Sequence, residues 1–395
     1  MMKSSLKDET GILAETSAKP GAGNVPRVWL LTGYRAGDNA QVLALAEALG
    51  WPFEVKHFVY RPYEFLTNRL LGATLAGVDL GRSDALTPPW PDLIITAGRR
   101  NEPIARWIKE RADGRARLIH LGRSWATPDR FDLIVTTPQY DVPAHPNVLQ
   151  IDAPLHRVTA ARLSDAAERW RSSVAHLPRP LIGVLVGGDS PPYVFDARVA
   201  QRLGSEALAV ARGRNGSVVV ATSPRTSQIA TSALAAVLAA ASDVPSYLYR
   251  WTADADGNPY TGYLALADIL VVTGDSMSMI AEACATGKPV QIFDMGEGWT
   301  RMRAGDAAPA VPASAPLSLT ERLRPKRLLH WLVAHWLPRR IRRDIRNILR
   351  PLVAHGQASW LGDDLPAAGA ASSTDLPRAV ARAKSLFKRS GDSGQ

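Results

Sequence analysis

Residues 262–298 read GYLALADILVVTGDSMSMIAEACATGKPVQIFDMGEG. An apolar run ends at Thr273-Gly274. The polar turn Asp275-Ser276-Met277-Ser278 follows, then an Ala-rich helical stretch carrying Glu282, a stop at Gly287-Lys288-Pro289 and a second apolar run. Strand, hydroxyl-rich turn, helix, glycine stop and strand form a right-handed crossover unit of a parallel sheet. The turn falls at a helix N-terminus, where N–H groups without intrahelical partners and the macrodipole favour an anion such as a diphosphate. Glu282, a turn or more into the helix, is placed to accept hydrogen bonds from a ribose. A second reading stands beside this one: Asp275 or Ser276 simply caps the helix, and Glu282 is an ordinary solvated residue.

The same alternation runs through most of the chain. Strands are expected at Arg27–Gly33, Phe53–Tyr60, Asp92–Gly98, Arg117–Arg123, Phe131–Thr136 and Val148–Ile151, with helices at Asn39–Gly50 and Asn101–Asp113. After a helical, Pro-punctuated junction at Ala161–Pro180 the pattern restarts. Its strands are Leu181–Gly187, Ser217–Thr222, Tyr247–Trp251, Ile269–Thr273 and Val290–Phe293; its helices are Asp196–Arg212, Thr226–Ala241 and Met277–Thr286. Strands alternating with helices, with continuous apolar strands, give an α/β chain of two Rossmann-like doubly wound domains. The expected organisation is a disordered leader at 1–24, a first Rossmann-like domain at 25–165 and a second at 175–300. A Pro/Ala linker at 301–320, basic amphipathic helices at 321–355 and a polar tail at 356–395 complete it.

The chain has 395 residues, 46% of them hydrophobic, enough for two domains with ample cores. A single cysteine, Cys284, excludes an internal disulfide and a Cys-rich metal site. The eight histidines show no close metal-ligand spacing, so no metal is expected. No apolar run reaches the roughly 18–20 residues that span a bilayer, and the polar leader lacks a secretory core, which points to a cytoplasmic protein. Between Glu321 and Arg350 lie ten Lys/Arg and two acids, so this segment holds +8 of the whole chain's +10. The near-neutral body argues against a nucleic-acid partner. Leu328–Leu352 combines apolar stripes with arginines. It suits an anionic membrane surface on the cytoplasmic face of an inner membrane, packing against the body, or a partner protein.

In open parallel sheets ligands sit beyond the carboxyl ends of the strands. Loops there are Gly33-Tyr34-Arg35-Ala36-Gly37-Asp38-Asn39, Gly98-Arg99-Arg100-Asn101, Gly187-Gly188-Asp189-Ser190 and Ser223-Pro224-Arg225. Arg99 and Arg100 at a helix start oppose its dipole, a local cost that suggests an anionic ligand; a surface salt bridge through Glu102 is the alternative. Gly33, Gly37 and Asn39 belong to the first loop as either ligand contacts or a plain turn. Asp38 is its one carboxylate and on the plain reading an N-cap. Asp254-Ala255-Asp256 has the letters of a metal-binding pair but reads as a turn.

The segments GYRAGDNAQ (33–41), AGRRNEP (97–103), VLVGGDS (184–190), ATSPRTS (221–227) and 262–298 resemble a family: the bacterial relatives of the plant mitochondrial-fission, or elongated-mitochondria, protein, itself similar to GT-B glycosyltransferases. The resemblance spans roughly residues 27–300. It implies a GT-B-like fold with a nucleotide-sugar as substrate and no cofactor. Ser276 and Ser278 would bind the diphosphate, Glu282 the ribose, and Gly187, Gly188, Ser223 and Arg225 would complete that site. The first domain would take an acceptor, lipid-linked on the membrane reading of Leu328–Leu352, with Asp38 as base in an inverting, metal-independent transfer. A non-catalytic scaffold of the same shape is the alternative, and a nucleotide-sugar epimerase drawing on His120 a further one.

Overall fold

A computed structural model describes residues 25–33, 35–61, 72–252, 257–297, 300–303, 343–369 and 374–388. The expectations for the leader, Asp254–Asp256, most of the Pro/Ala linker and residues 321–342 lie outside the described residues. The described residues divide into two compact units. The first holds those up to Arg157, together with Arg343 and the segment from Thr374; the second holds Val158 to Arg303 and Asp344 to Gly369.

The first unit is a six-stranded sheet of β1 (Val28–Thr32), β2 (Phe53–His57), β3 (Leu93–Ala97), β4 (Arg117–Leu121), β5 (Leu133–Thr136) and β6 (Val148–Gln150), in the order β2-β1-β3-β4-β5-β6. Every pairing is parallel. Successive residues of β3 feed opposite faces. Leu93 and Ile95 join Val42, Leu45 and Leu49 of α1 (Ala36–Leu49), while Ile94 joins Ile104 and Ile108 of α2 (Glu102–Arg111). Burial on both faces is why these strands are apolar throughout. Gly50, in the left-handed region at φ 71°, ends α1 as its place in the sequence predicts.

The second unit carries β7 (Leu181–Leu185), β8 (Ser217–Ala221), β9 (Ser246–Tyr249), β10 (Ile269–Thr273), β11 (Val290–Phe293) and β12 (Ser359–Trp360). All are parallel, in the order β12-β11-β10-β7-β8-β9. Helices α3 (Ala160–Val174), α4 (Ala197–Arg212), α5 (Gln228–Ala240), α6 (Tyr260–Leu266) and α7 (Met277–Cys284) accompany them. Asp196 and Ser227 cap α4 and α5, each accepting a hydrogen bond from the backbone N–H three residues on. The fold class is thus the expected one: two Rossmann-like, doubly wound α/β units.

Two expectations near the end of the chain need correction. The stretch read as a polar tail contains β12 and a helix, α9 (Asp375–Ser385). Ala379 and Ala383 of α9 are fully buried against the α1 face of the first unit, and Phe387 meets Trp51 edge-on at 5.3 Å. Its apolar stripe is short and Ala-based, which a reading of composition takes for solvated chain. The described end of the basic segment, α8 (Arg346–Ala354), turns Ile348 and Leu349, with Ile345 just before it, into the core of the second unit. This described part of the stripe therefore packs within the protein, one of the three readings above. Among the described residues no helix is long and apolar enough to cross a membrane.

Candidate functional site

Each sheet reverses its winding direction once, and ligands of doubly wound folds sit at such points. In the first sheet the reversal lies between β1 and β3. The loops leaving these strands, with those after β4 and β5, enclose a cavity of about 390 Å³ lined by Gly33, Arg35, Asp38, Asn39, Gly98, Arg99, Arg100, Asn101, Arg123, Trp125, Gln139 and Tyr140 among others.

Asp38 lies in the first turn of α1, where a carboxylate is favoured by the dipole. It is not the N-cap; Arg35 holds that place without a side-chain cap bond. Residue 38 as a whole is half-buried, but its carboxyl group is ringed by protein. Burial raises its pKa above the ordinary carboxylate value, against the charges of Arg35, His120 and Arg343. The Asp38 carboxyl lies so close over Gly98 (φ +77°) that a Cβ there would meet Oδ2 at 2.6 Å. Asn39 is engaged in closing the loop. Its side-chain oxygen accepts from the Gly33 N–H (3.0 Å), and its amide nitrogen donates to the Gly33 carbonyl (2.8 Å). The Gly37 carbonyl accepts from the Gln41 amide at 3.3 Å.

Arg99 and Arg100 both line the cavity. The Arg99 guanidinium stands 5.4 Å from the Trp125 ring centre and that of Arg100 5.4 Å from Tyr60. Glu102 makes no surface bridge: it is buried, accepting the N–H groups of Trp125 and Ala126, both at 2.7 Å. Asn101, Arg123, Arg343 and His120 join them, of which Arg123 and Arg343 have no role in the sequence reading. Buried Asn101 donates to the Leu31 carbonyl (3.0 Å) and accepts from the Tyr60 hydroxyl, tying two strand ends together. Arg123 stacks on Trp125 (5.0 Å) and Tyr140 (5.7 Å), and Arg343 donates to Gln139 at 2.7 Å. A signal for Arg123 is present, since Gly122-Arg123 repeats the strand-end Gly-Arg of Gly98-Arg99. His120 is fully buried beneath these loops, and its Nε2 bonds to the Arg123 carbonyl at 3.1 Å. As a carbonyl only accepts, that nitrogen carries the proton. Burial lowers the ring's pKa.

In the second sheet the reversal lies between β7 and β10. Here the structure brings Gly187, Gly188, Ser223, Arg225, Asp275 and Ser276 together. The Gly187 N–H donates to Thr273 Oγ1 (2.8 Å) and the Gly188 N–H to Asp275 Oδ2 (3.2 Å). Ser223 and Thr226 donate their hydroxyls to the Gly187 carbonyl. Arg225 pairs with the fully buried Asp275 carboxylate at 2.6 Å. Gly188, at φ +152°, packs so tightly that a Cβ would stand 2.1 Å from the Arg225 carbonyl oxygen. The groups expected on a phosphate thus hold the loops to one another. Ser276 is buried at the start of α7 without making a cap bond, and Ser278 is half-buried in its first turn. Glu282 is half-buried and accepts from the Tyr260 hydroxyl. Among the described residues no three His, Cys, Asp or Glu side chains cluster as metal ligands would.

The sequence profile described as mitochondrial fission ELM1 matches residues 36–308. The chain belongs to the mitochondrial fission ELM1 family. The Arabidopsis thaliana mitochondrial fission protein ELM1 is 30% identical over 225 residues, 51% of this chain and 51% of that protein, so the chain spans about half the length of that relative. An uncharacterized protein of Rickettsia prowazekii (strain Madrid E) is 24% identical over 301 residues, 67% of this chain and 82% of its own. Among solved structures, the UDP-GlcNAc 2-epimerase of Neisseria meningitidis bound to UDP-GlcNAc aligns over 92% of this chain and 100% of its own, at 11% identity and a TM-score of 0.45. The ELM1 match takes in Asp38, Arg99, Arg100, Arg123, Arg225 and Glu282, and leaves Arg343 and α9 outside.

Proposed function

We propose that this chain is a glycosyltransferase that moves a sugar from a nucleotide-diphosphate donor to an acceptor hydroxyl, with inversion and without a metal. The acceptor enters the first unit's cavity, and Asp38 takes the proton from its hydroxyl. The oxygen attacks the anomeric carbon as the bond to the diphosphate breaks, and the electron pair leaves on the diphosphate oxygen. A carboxylate made more basic by burial is a better proton acceptor at neutral pH. In the second unit the first-turn amides of α7, with Ser276 and Ser278, take the diphosphate, and Arg225 meets its charge from the solvent side. Glu282, oriented by Tyr260, takes the ribose. Gly187, Gly188 and Ser223 shape that mouth through the bonds they make with one another.

The observation that carries this reading is Asp38 on the wall of a cavity at the sheet's reversal point. Calorimetric titration with UDP, GDP and their sugars tests it. An enzyme binds one of them in the micromolar to millimolar range typical of substrates, Glu282→Ala weakens that binding, and Asp38→Asn abolishes turnover while binding persists. Absence of binding to every nucleotide overturns the reading. One observation favours a non-catalytic scaffold instead: the Asp275 carboxylate occupies donors of the second unit's mouth that a phosphate would use. The epimerase reading has less support, because His120 is buried and is not among the cavity's lining residues.

A further inference from the structure

The first unit's cavity is far more cationic than the positioning of a neutral hydroxyl requires. Arg35, Arg99, Arg100 and Arg123 line it, and Asp38 is the only carboxylate among its described lining residues. Arg343 joins them, bonded to Gln139 on the cavity wall across 204 residues of sequence. Helices α1 and α2 both begin here, at Ala36 and Glu102, and add the partial positive charge of two N-termini. Like charges gathered around one space repel, and burial of Arg123 adds a desolvation cost. A cavity lined by one sign of charge concentrates ligands of the opposite sign.

The arrangement also says what kind of anion fits. The Arg99 and Arg123 guanidinium groups stand over the Trp125 ring and that of Arg100 over Tyr60, which gathers them at one side of the cavity. A guanidinium presents a planar fork of N–H donors. A carboxylate has two oxygens and is satisfied by one such fork; several forks around one space match the three or more oxygens of a phosphoryl group.

We propose that the cavity binds a phosphoryl group, its ligand being a phosphate or diphosphate ester held by Arg99, Arg100 and Arg123 with a free hydroxyl toward Asp38. On the transferase reading, on which the word acceptor rests, the acceptor is a phosphorylated alcohol, free or as the headgroup of a lipid.

Titration of the full chain with inorganic pyrophosphate tests the site. Saturable binding is expected, weakened about tenfold or more in Arg99→Gln and in Arg123→Gln, since each loses a charge-assisted hydrogen bond. In Arg212→Gln, an exposed residue of the second unit paired with Asp243 and belonging to neither site, binding stays within about twofold of the parent, because mutations at separate sites do not couple. Circular-dichroism melts check each variant; if Arg123→Gln unfolds, Arg99→Gln alone decides. No saturable binding, or binding indifferent to both cavity substitutions, overturns the proposal. Phosphatidylcholine vesicles with and without phosphatidic acid separate the sources. Sedimentation with the acidic vesicles only, reversed by pyrophosphate and lost in Arg99→Gln, assigns a lipid-borne group; pyrophosphate binding without sedimentation assigns a soluble ester, and either supports the site. Pyrophosphate binding through Arg99 and Arg123 in a chain that binds no nucleotide leaves this site standing and removes the transferase. Nucleotide binding sensitive to Glu282→Ala, with the pyrophosphate test failed, removes this inference alone.

Discussion

Arg225 closes on Asp275 at 2.6 Å, joining the loop after β8 to the turn before α7, with the Asp275 side chain wholly buried and that of Arg225 40% exposed. The same carboxylate accepts the Gly188 N–H, so three loops converge on one anion. Breaking a fully buried pair from one side costs about 3–5 kcal/mol. With the cation partly in solvent, we expect Arg225→Ala to cost about 2 kcal/mol. Urea unfolding at constant m-value measures it, and a loss under about 0.5 kcal/mol, the size of a neutral surface change, would contradict the latch.

Asp38 separates a catalytic from a structural role by sign. Burial raises its folded pKa, so the folded chain holds the proton more tightly than the unfolded chain. Stability therefore falls as pH rises from the ordinary carboxylate value through the raised one, and ionised Asp38 is a burden at neutral pH. Asp38→Asn should melt higher than the parent at neutral pH, with the difference fading toward about pH 4, near the unperturbed carboxylate pKa. A lower melting temperature at neutral pH would instead make Asp38 a helix-stabilising residue.

His120 carries the opposite dependence. Burial lowers its pKa, so the unfolded chain protonates as pH falls through about 6.5 while the folded ring stays neutral. The stability linked to the neutral ring is present above that value and is lost as pH falls toward the lowered one. His120→Gln, which keeps a donor for the Arg123 carbonyl, should flatten the stability profile between about pH 7.5 and about pH 5.5, the range in which an imidazole titrates. Some slope will remain from His156, which burial lowers as well.

Asp375 begins α9 and accepts the N–H groups of Asp152 (3.0 Å) and Ala153 (3.1 Å) beyond β6. Hydrogen bonds to a charged group are worth about 1.5–3 kcal/mol, and this carboxylate is nearly buried. Asp375→Ala should destabilise the chain by about 2–3 kcal/mol, more than Asp375→Asn, which keeps an acceptor oxygen. Equal unfolding midpoints for the two variants would show that α9 is held by its apolar contacts alone.

These positions also mark what the sequence can disclose. Apolar runs such as Leu93–Ala97 and Leu181–Leu185 are buried on both faces, and a doubly covered strand has no polar alternation to confuse it, so both sheets are legible from the order of residues alone. Strand β12 is two residues long and leaves no signal; α9 does carry a helical stripe, Leu376, Ala379, Val380, Ala383 and Phe387, which reading the tail by its polar composition passes over. At the candidate site, strand-end glycines flag the loops holding Asp38, Arg99 and Gly187, and a Ser/Pro/Thr turn flags that of Arg225. The bonds within those loops are not legible, because whether the Gly188 N–H meets Asp275 or a ligand depends on backbone paths that no spacing encodes. Arg343 shows the limit most sharply, as only the folded chain brings it to Gln139.

The return of α9 to the α1 face has a bearing on synthesis. A ribosome delivers the β1–β6 strands early, yet Ala379 and Ala383, which cover Leu45 and its neighbours, emerge near the end of the chain. Domains ordinarily fold in order of emergence; here the earlier one gains its last covering helix only after the later one has been made.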